Sequence, residues 1–560
     1  MRYNEAAIGC LKKGDQMASS TKCSSWVVLR FGSRKALAFQ LVLWVALSLC
    51  VFLPSGRTAV AYAAEGPGQQ GLQAGQALYA LESEQTEAER IAAMRVVNNG
   101  LYTIESVDKP SNALDVDDSS TKAGASVLPS KRKASIRSQK WIVLQDAKTG
   151  YYRIRNLNSR LFLSVAGKAK GNAAFKQAKS SASKMQLWEI VQGEAGMIMK
   201  SAANPKLALT FVKGKGGTTK ILLKKVNRKL AQQCRLRKAN PIEDGRSYFI
   251  RSALSPKQGL AIGENYKKTG AKYVLAKRSS AKTQKFRVKK TGASYSMQCV
   301  KSCKYVSAAK GSLKQAANAK GKASKWSFVL DLNTATYAIK STSADSYVDA
   351  SNGSLSLKKL SEDAPGKAQR FILVSTYGFT VFLDAGHGRN SSGWGVYDPG
   401  AEGCGYEEAD LTKDLAKRIE TKLEGSDVRV FNGTQYSVPY WQRNGKARSL
   451  GCDVVLSIHF NADGGSSTAT MVGSRGSAAS SKFNSIIHKR LVKSTGLPDG
   501  GTMHRGDITV VNGSVPAVLM EVCFIDNYGS LHRYLNRRDA VATSLAEGIV
   551  AASKQPVLLR

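Results

Sequence analysis

The chain has 560 residues, 42% of them hydrophobic, and a formal net charge of +42. That length exceeds what one hydrophobic core normally organises, and the apolar content excludes wholesale disorder. The charge is concentrated: residues 95–371 carry 54 Lys+Arg against 16 Asp+Glu, or +38, whereas residues 372–560 carry 20 against 18, or +2. A polycationic middle of this kind seeks a polyanion: nucleic acid, an anionic membrane or an anionic wall polymer.

The N-terminus narrows that choice. The run 36-ALAFQLVLWVALSLCVFL-53 follows Arg30, Arg34 and Lys35, and it leads through Pro54, Ser55 and Gly56 to 61-AYAAE-65. A basic flank, an apolar stretch and an Ala-x-Ala ending predict a secretory signal over residues 1–64. The segment ahead of it is long for a signal, which points to a later start such as Met17. The apolar run is long enough that an uncleaved membrane anchor is the alternative. A cleaved signal leaves a secreted, wall-associated chain with no stable membrane span and no nucleic-acid partner. Residues 65–96 form a spacer in which 82-ESEQTEAERIAAMRVV-97 reads as an amphipathic helix.

A repeat follows. Six segments open on a strand centred on Tyr or a similar apolar residue, at 100-GLYTI-104, 150-GYYRI-154, 196-GMIMK-200, 245-GRSYFI-250, 292-GASYSM-297 and 335-ATYAI-339. A second short strand follows each, from 114-LDV-116 to 347-YVDA-350. Each segment closes on Gln-x-aromatic or its remnant, ending at Trp141, Trp188, Cys234, Phe286, Trp326 and Phe371. Short strands and turns at this cadence predict a closed all-β architecture. The pattern resembles the ricin-type β-trefoil, whose repeats come in threes. That resemblance implies two trefoil-like domains, 97–240 and 241–375, in which the closing aromatic belongs to the core and the Gln braces a turn. The copies closing at Cys234 and carrying Ser324 depart from the pattern.

Residues 376–560 alternate strand and helix patterns. Buried strands are expected at 380-TVFLDAG-386, 453-DVVLSIHF-460 and 517-AVLMEVCFI-525, with helices at 408–425, 478–495 and 538–553. Continuous apolar strands between helices predict an α/β domain with a mostly parallel sheet covered on both faces. All five histidines fall here: His387, His459, His488, His504 and His532. His387 and His459 lie at the carboxyl ends of predicted strands, where open α/β sheets build their sites. Glu407 and Glu408 open the first helix, and Glu521 stands mid-strand among apolar neighbours, where a lone carboxylate is costly. Two His and one Glu are a zinc-binding set that leaves a position for water, and a further Glu can take that water's proton.

The order of 383-LDAGHG-388, 398-DPGA-401, 408-EADLTKDLAKRI-419, Arg443, 453-DVVLSIHFNA-462 and 516-PAVLMEVCFIDN-527 resembles the zinc-dependent N-acetylmuramoyl-L-alanine amidases of bacterial cell-wall turnover. The resemblance assigns one zinc to His387, Glu408 and His459, with Glu521 as catalytic base. Glu408 is preferred to Glu407 because Asp410 follows it by two. Asp384, Arg443, Asn461 and His504 are the supporting or substrate-facing candidates, while His488 and His532 read as helix-surface residues. The implied substrate is peptidoglycan, with the basic repeats gripping anionic wall polymers or glycans. A zinc peptidase acting on stem peptides and a catalytically silent wall-binding protein are the rival readings. The sequence departs from the family at Arg448, at Cys523 and in the long loop 389-RNSSGWGVY-397 containing Trp394. Among nine cysteines no paired metal-type spacing occurs. Cys299 and Cys303 are spaced to bridge a turn or to remain thiols.

Overall fold

The computed structural model describes residues 96–560, except 134, 215–218, 361–363, 390, 394 and 560. The secretory signal, the helical spacer and Trp394 fall outside the described residues.

Two antiparallel systems of twelve strands each come first, running from Gly100 to Lys238 and from Arg246 to Thr376. All six repeat closures take one shape. A single 3-10 turn, such as Arg137–Gln139, Lys184–Gln186 or Lys282–Gln284, leads directly or by one residue into a strand. The Gln side chains hold that turn. Gln139, Gln186, Gln232 and Gln284 donate Nε2 to the carbonyls of Lys131, Lys179, Lys225 and Lys277. Their Oε1 atoms accept from the amides of Lys133, Ser181, Asn227 and Ser279. The closing residues Trp141, Trp188, Cys234, Phe286, Trp326 and Phe371 are all fully buried. The Gln spends its bonding capacity on its own loop while the residue two positions on anchors the core.

The C-terminal domain is built on a six-stranded sheet. Its strands are β1 (Phe379–Ala385), β2 (Val428–Asn432), β3 (Val454–Asn461), β4 (Thr468–Gly473), β5 (Asp499–Arg505) and β6 (Ala517–Phe524). The order is β2-β1-β3-β6-β4-β5, parallel throughout except where β4 runs antiparallel to β6. β2, β4 and β5 were not expected, because each is short or partly polar. The helices are α1 (Glu408–Lys422), α2 (Arg443–Ser449), α3 (Ala478–Thr495) and α4 (Tyr528–Ala552). α4 begins ten residues before the expected 538, since Asn527 accepts from the amide of Ser530 and starts it there.

Strand alternation separates two cores. Val381, Leu383, Leu456, Ile458, Val518 and Met520 pack with the apolar faces of α1, α3 and α4. Phe382, Val455, Ala517 and Leu519 face the opposite way, against α2 and residues 510–515. All three long helices therefore cover one face, and the second face is left to a short helix and a loop.

The second β-system is bound to this domain by buried polar contacts. The carboxylate of Asp427 accepts from the amide and hydroxyl of Ser247 at 2.8 and 2.6 Å and from Arg287 Nε at 2.9 Å. Lys282 pairs with the buried Asp453, and Val300 inserts into the core of the sheet domain. Cys299 and Cys303 are unbridged thiols, as are the other four described cysteines.

Candidate metal and catalytic site

The site forms where β1 and β3 end. β1 stops at Ala385, and the chain turns through Gly386, His387 and Gly388. Gly386 is needed for contact: a Cβ there would lie 2.5–2.8 Å from the His459 ring. Gly400 is needed for both contact and conformation. Its φ is +73°, and a Cβ would lie 2.7 Å from Glu408 Oε2 and the His387 ring. His387 itself has φ +60°, a strained setting for a non-glycine residue of the kind that gathers at functional sites.

Glu408, the first residue of α1, is buried between the two imidazoles. Its Oε2 lies 3.1 Å from His387 Nε2, and its Oε1 lies 2.9 Å from His459 Nδ1. The amides of Ala401 and Phe460 donate to the same two oxygens. Burial opposes ionisation of Glu408, but hydrogen bonds from His387 and His459 outweigh it and hold the carboxyl far below its ordinary range. His387 shows the reciprocal effect: burial disfavours its charge, yet Glu408 and Asp398 raise its pKa. One donor atom each from His387, Glu408 and His459 lies within 4.8 Å of the others. Two imidazoles and a carboxylate at that spacing suit a single divalent ion. Glu407 is not part of this group; it meets the Tyr397 hydroxyl.

Glu521 lies opposite His459 in the β3–β6 register. Its Oε2 is sealed from solvent and has no hydrogen-bond partner. Burial pushes its carboxyl up to about 7, with Glu408 adding to the rise against the opposing pull of the imidazoles. A buried carboxyl with an unused oxygen beside a metal-type cluster fits a metal bound there, because the ion and its water would supply the missing partners.

A supporting lattice surrounds these groups. Asp398 Oδ2 lies 3.0 Å from His387 Nδ1, which leaves Nε2 facing Glu408. Arg443, on α2, donates to Asp384 Oδ1 at 2.9 Å, to the carbonyls of Ala385 and His387 at 3.0 and 3.1 Å, and to Ser391 Oγ at 2.8 Å. Ser457 Oγ donates to the other Asp384 oxygen at 2.6 Å. Asp384 and Arg443 thus fix the loop carrying His387. Asn461 ends β3 and shapes its turn by accepting from the amides of Ala462 and Ile525.

His504 lies exposed on β5, opposite Val472, and is outside the cluster. His532 is exposed and stacks on Tyr528. His488 is only partly exposed: its ring bridges Thr470 Oγ1 and Asp499 Oδ1 at 2.9 Å each, tying α3 to β4 and β5. Arg448 is exposed on α2, so its departure from the family pattern disturbs no packing. Cys523 is fully buried, and burial pushes its thiol up to about 12. A cleft of about 370 Å³ opens beside His387, between Arg389, Tyr397, Lys413 and Tyr436.

Sequence reasoning missed Asp398, Ser391 and Ser457 as functional supports. For Asp398 the signal was the Asp-Pro-Gly turn, which brings a carboxylate back toward the histidine. Ser391 and Ser457 carried no pattern to set them apart.

Residues 381–551 match the family described as N-acetylmuramoyl-L-alanine amidase, and residues 137–223 match the ricin-type beta-trefoil lectin domain-like family. The N-acetylmuramoyl-L-alanine amidase LytC of Bacillus subtilis (strain 168) is 32% identical over 184 residues, 31% of this chain and 35% of the relative. The sporulation-specific N-acetylmuramoyl-L-alanine amidase of the same organism is 28% identical over 172 residues, 30% of this chain and 64% of the relative. The match therefore spans less than two thirds of either curated relative. Among solved structures, the catalytic domain of CwlV, an N-acetylmuramoyl-L-alanine amidase from Bacillus(Paenibacillus) polymyxa var.colistinus, is 28% identical with a TM-score of 0.27, covering 31% of this chain and 97% of that one. Residues 381–551 are thus a domain of the N-acetylmuramoyl-L-alanine amidase family, joined to an N-terminal all-β region that contains a ricin-type lectin-like domain.

Proposed function

We propose that the chain is a secreted cell-wall hydrolase that cleaves the amide between the lactyl group of N-acetylmuramic acid and L-alanine in peptidoglycan. The observation that carries this reading is the convergence of His387, Glu408 and His459 with Glu521 facing them from β6. The amidase family match supports the choice of bond.

His387, Glu408 and His459 would hold one zinc. The chemistry such an ion would supply there is a water of near-neutral pKa and a Lewis acid for the scissile carbonyl. Glu521 takes the proton from the attacking water and returns it to the departing amine of L-alanine. Its raised pKa suits a group that must both accept and release a proton near neutral pH. Asp398 keeps His387 oriented, and Arg443 with Asp384 keeps the loop in place during turnover.

The two β-systems are read as a pair of β-trefoils that hold the enzyme to anionic wall polymer through their lysine-rich surfaces. The ricin-type match to residues 137–223 and the charge of residues 95–371 support this. The apolar run at 36–53 supports export. Among the described residues no helix is long and apolar enough to cross a membrane.

The test is an end-group assay on purified peptidoglycan with the full chain, with and without chelator. New L-alanine amino termini that disappear with chelator are the expected result. Amino termini of another residue would make the enzyme a peptidase, and no cleavage would leave a binding protein.

A further inference from the structure

A second cleft, of about 590 Å³, lies where the first β-system, the second β-system and the sheet domain meet. None of His387, Glu408, His459 and Glu521 lines it. Its walls include Asp118, Lys133 and Arg137 from the first system, Arg246 and Tyr377 beside the second, and Glu420, Glu424 and Arg429 from the sheet domain.

The charges in this cleft do not balance. Glu424 is engaged by Lys133 at 3.0 Å and Glu420 by Lys417 at 2.9 Å. Asp118 is then the one carboxylate of the walls without a basic partner. Against it stand Arg137, Arg246 and Arg429, none of which forms an ion pair among the described residues. Arg137 is 4% exposed and spent on the protein: it donates to the carbonyls of Pro241 and Leu373 at 2.8 and 3.5 Å and to the Tyr337 hydroxyl at 3.4 Å, its Nε is sealed, and the buried Glu243 lies near enough to favour its charge. Arg246 is 6% exposed, and its guanidinium sits over the Tyr377 ring at 4.7 Å. No side-chain nitrogen of Arg246 donates to a protein acceptor among the described residues. None of them is a sealed orphan either, so they open onto the cleft.

A guanidinium this buried without a counter-charge is costly, and the ring beneath it offsets only part of that cost. The neighbourhood adds to the strain. Burial lowers the pKa of Lys140 against the pull of its partner Glu243 at 2.7 Å, and the positive charges of Arg137 and Arg246 add to the fall. Arg246 and Arg429 thus face the cleft against the single unpaired carboxylate of Asp118, and the planar fork of arginine suits phosphate oxygens. Ser119, Thr121, Ser135, Asn158 and Ser375 complete the walls with neutral donors and acceptors of the kind that meet sugar hydroxyls.

We propose that this three-way cleft binds a phosphorylated saccharide, with Arg246 and Arg429 holding the phosphate and the hydroxyl-bearing wall holding the sugar. The site is distinct from the lysine-rich outer surface and needs no amidase activity.

The experiment is calorimetric titration of the full chain at about 0.5 M salt, where exposed lysines are largely screened. The probes are glucose 6-phosphate, glucose and inorganic phosphate. Glucose 6-phosphate should bind once per chain, inorganic phosphate more weakly, and glucose not at all. Arg246→Gln should weaken glucose 6-phosphate by roughly tenfold or more, as expected for losing a charged hydrogen bond. Because Arg246 is buried, Thr121→Trp serves as a second variant: it fills the cleft from an exposed turn and should weaken binding similarly while leaving end-group release unchanged. No binding of glucose 6-phosphate would overturn the proposal. So would equal binding of inorganic phosphate, or an affinity unchanged in both variants.

Discussion

The repeat closures and the metal-type site both place polar side chains among buried apolar ones, and they do so to opposite ends. In the closures each Gln spends its amide on its own turn: Gln186 donates to the Lys179 carbonyl and accepts from the Ser181 amide. Nothing is left for a ligand. At the strand ends, Glu521 keeps one buried oxygen without any partner, and two imidazoles converge on a shared carboxylate. A polar group whose capacity is used up by nearby backbone is part of the scaffold. What marks the unused Glu521 oxygen as a reacting group is that it faces two imidazoles and a carboxylate at metal-ligand spacing.

The largest effects that would break this comparison lie at Glu521. Glu521→Gln should lower end-group release by roughly 10²–10⁴-fold, the usual contribution of a positioned general base, without loosening the fold. The same variant should change how stability depends on pH in metal-free protein. Burial pushes the Glu521 carboxyl up to about 7 in the folded chain, from an ordinary 4.5. Between those values the folded chain holds a proton that the unfolded chain has released, so stability falls as pH rises through the window. Melting curves in chelator should show that slope for the parent and a flatter profile for Glu521→Gln. A slope unchanged by the substitution would assign it to other groups. At the cluster itself, His459→Ala should reduce bound zinc, measured by elemental analysis, to background, because a carboxylate and one imidazole hold the ion weakly.

The difference between the two regions also governs what could be read before the fold was known. The cadence of the repeats was legible because a buried aromatic and a turn-bracing Gln recur at fixed offsets, and even the smaller Cys234 fills the same core position. The convergence of His387, Glu408 and His459 was legible because glycines flank the one histidine and apolar strand precedes the other. The lattice behind them was less so. Ser457 is one serine in an apolar strand, and nothing in the chain reveals that it faces Asp384 until β1 and β3 pair in register. His488 misled for a similar reason: its place on a helix suggested solvent, while its partners Thr470 and Asp499 come from strands too short and polar to be recognised. The seam with the second β-system was invisible, since Asp427 looks like any loop carboxylate.

That seam sharpens the comparison at intermediate magnitude. Asp427 takes three hydrogen bonds from Ser247 and Arg287 and lies buried with them. Removing one partner of a buried charge pair leaves the other uncompensated. Asp427→Ala should therefore cost about 3 kcal/mol, read as a drop in the denaturation midpoint of the full chain. A fragment beginning at residue 372 should be less stable still, since it also loses Val300 from its core and Lys282 from Asp453. If the fragment proved as stable as the full chain, the β-system would be a passenger on the sheet domain and the seam an incidental contact.

The smallest effect separates two residues that look equivalent in sequence. Trp141 and Trp188 close successive repeats and are both fully buried. Trp141 Nε1 donates to the Leu114 carbonyl at 2.9 Å, as Trp326 does to Val306 at 3.0 Å, whereas Trp188 Nε1 is sealed with no acceptor. Replacement by Phe removes similar ring volume at each site but deletes a satisfied hydrogen bond only at 141. It also strands the Leu114 carbonyl there, while at 188 it relieves a buried orphan donor. Trp141→Phe should therefore destabilise the first β-system more than Trp188→Phe, by about 1 kcal/mol in denaturant midpoints at constant slope. Equal losses would mean that ring packing alone sets the value of the closing aromatic. A larger loss at 188 would mean that its indole nitrogen is satisfied in solution and that the buried orphan is not a cost at this closure.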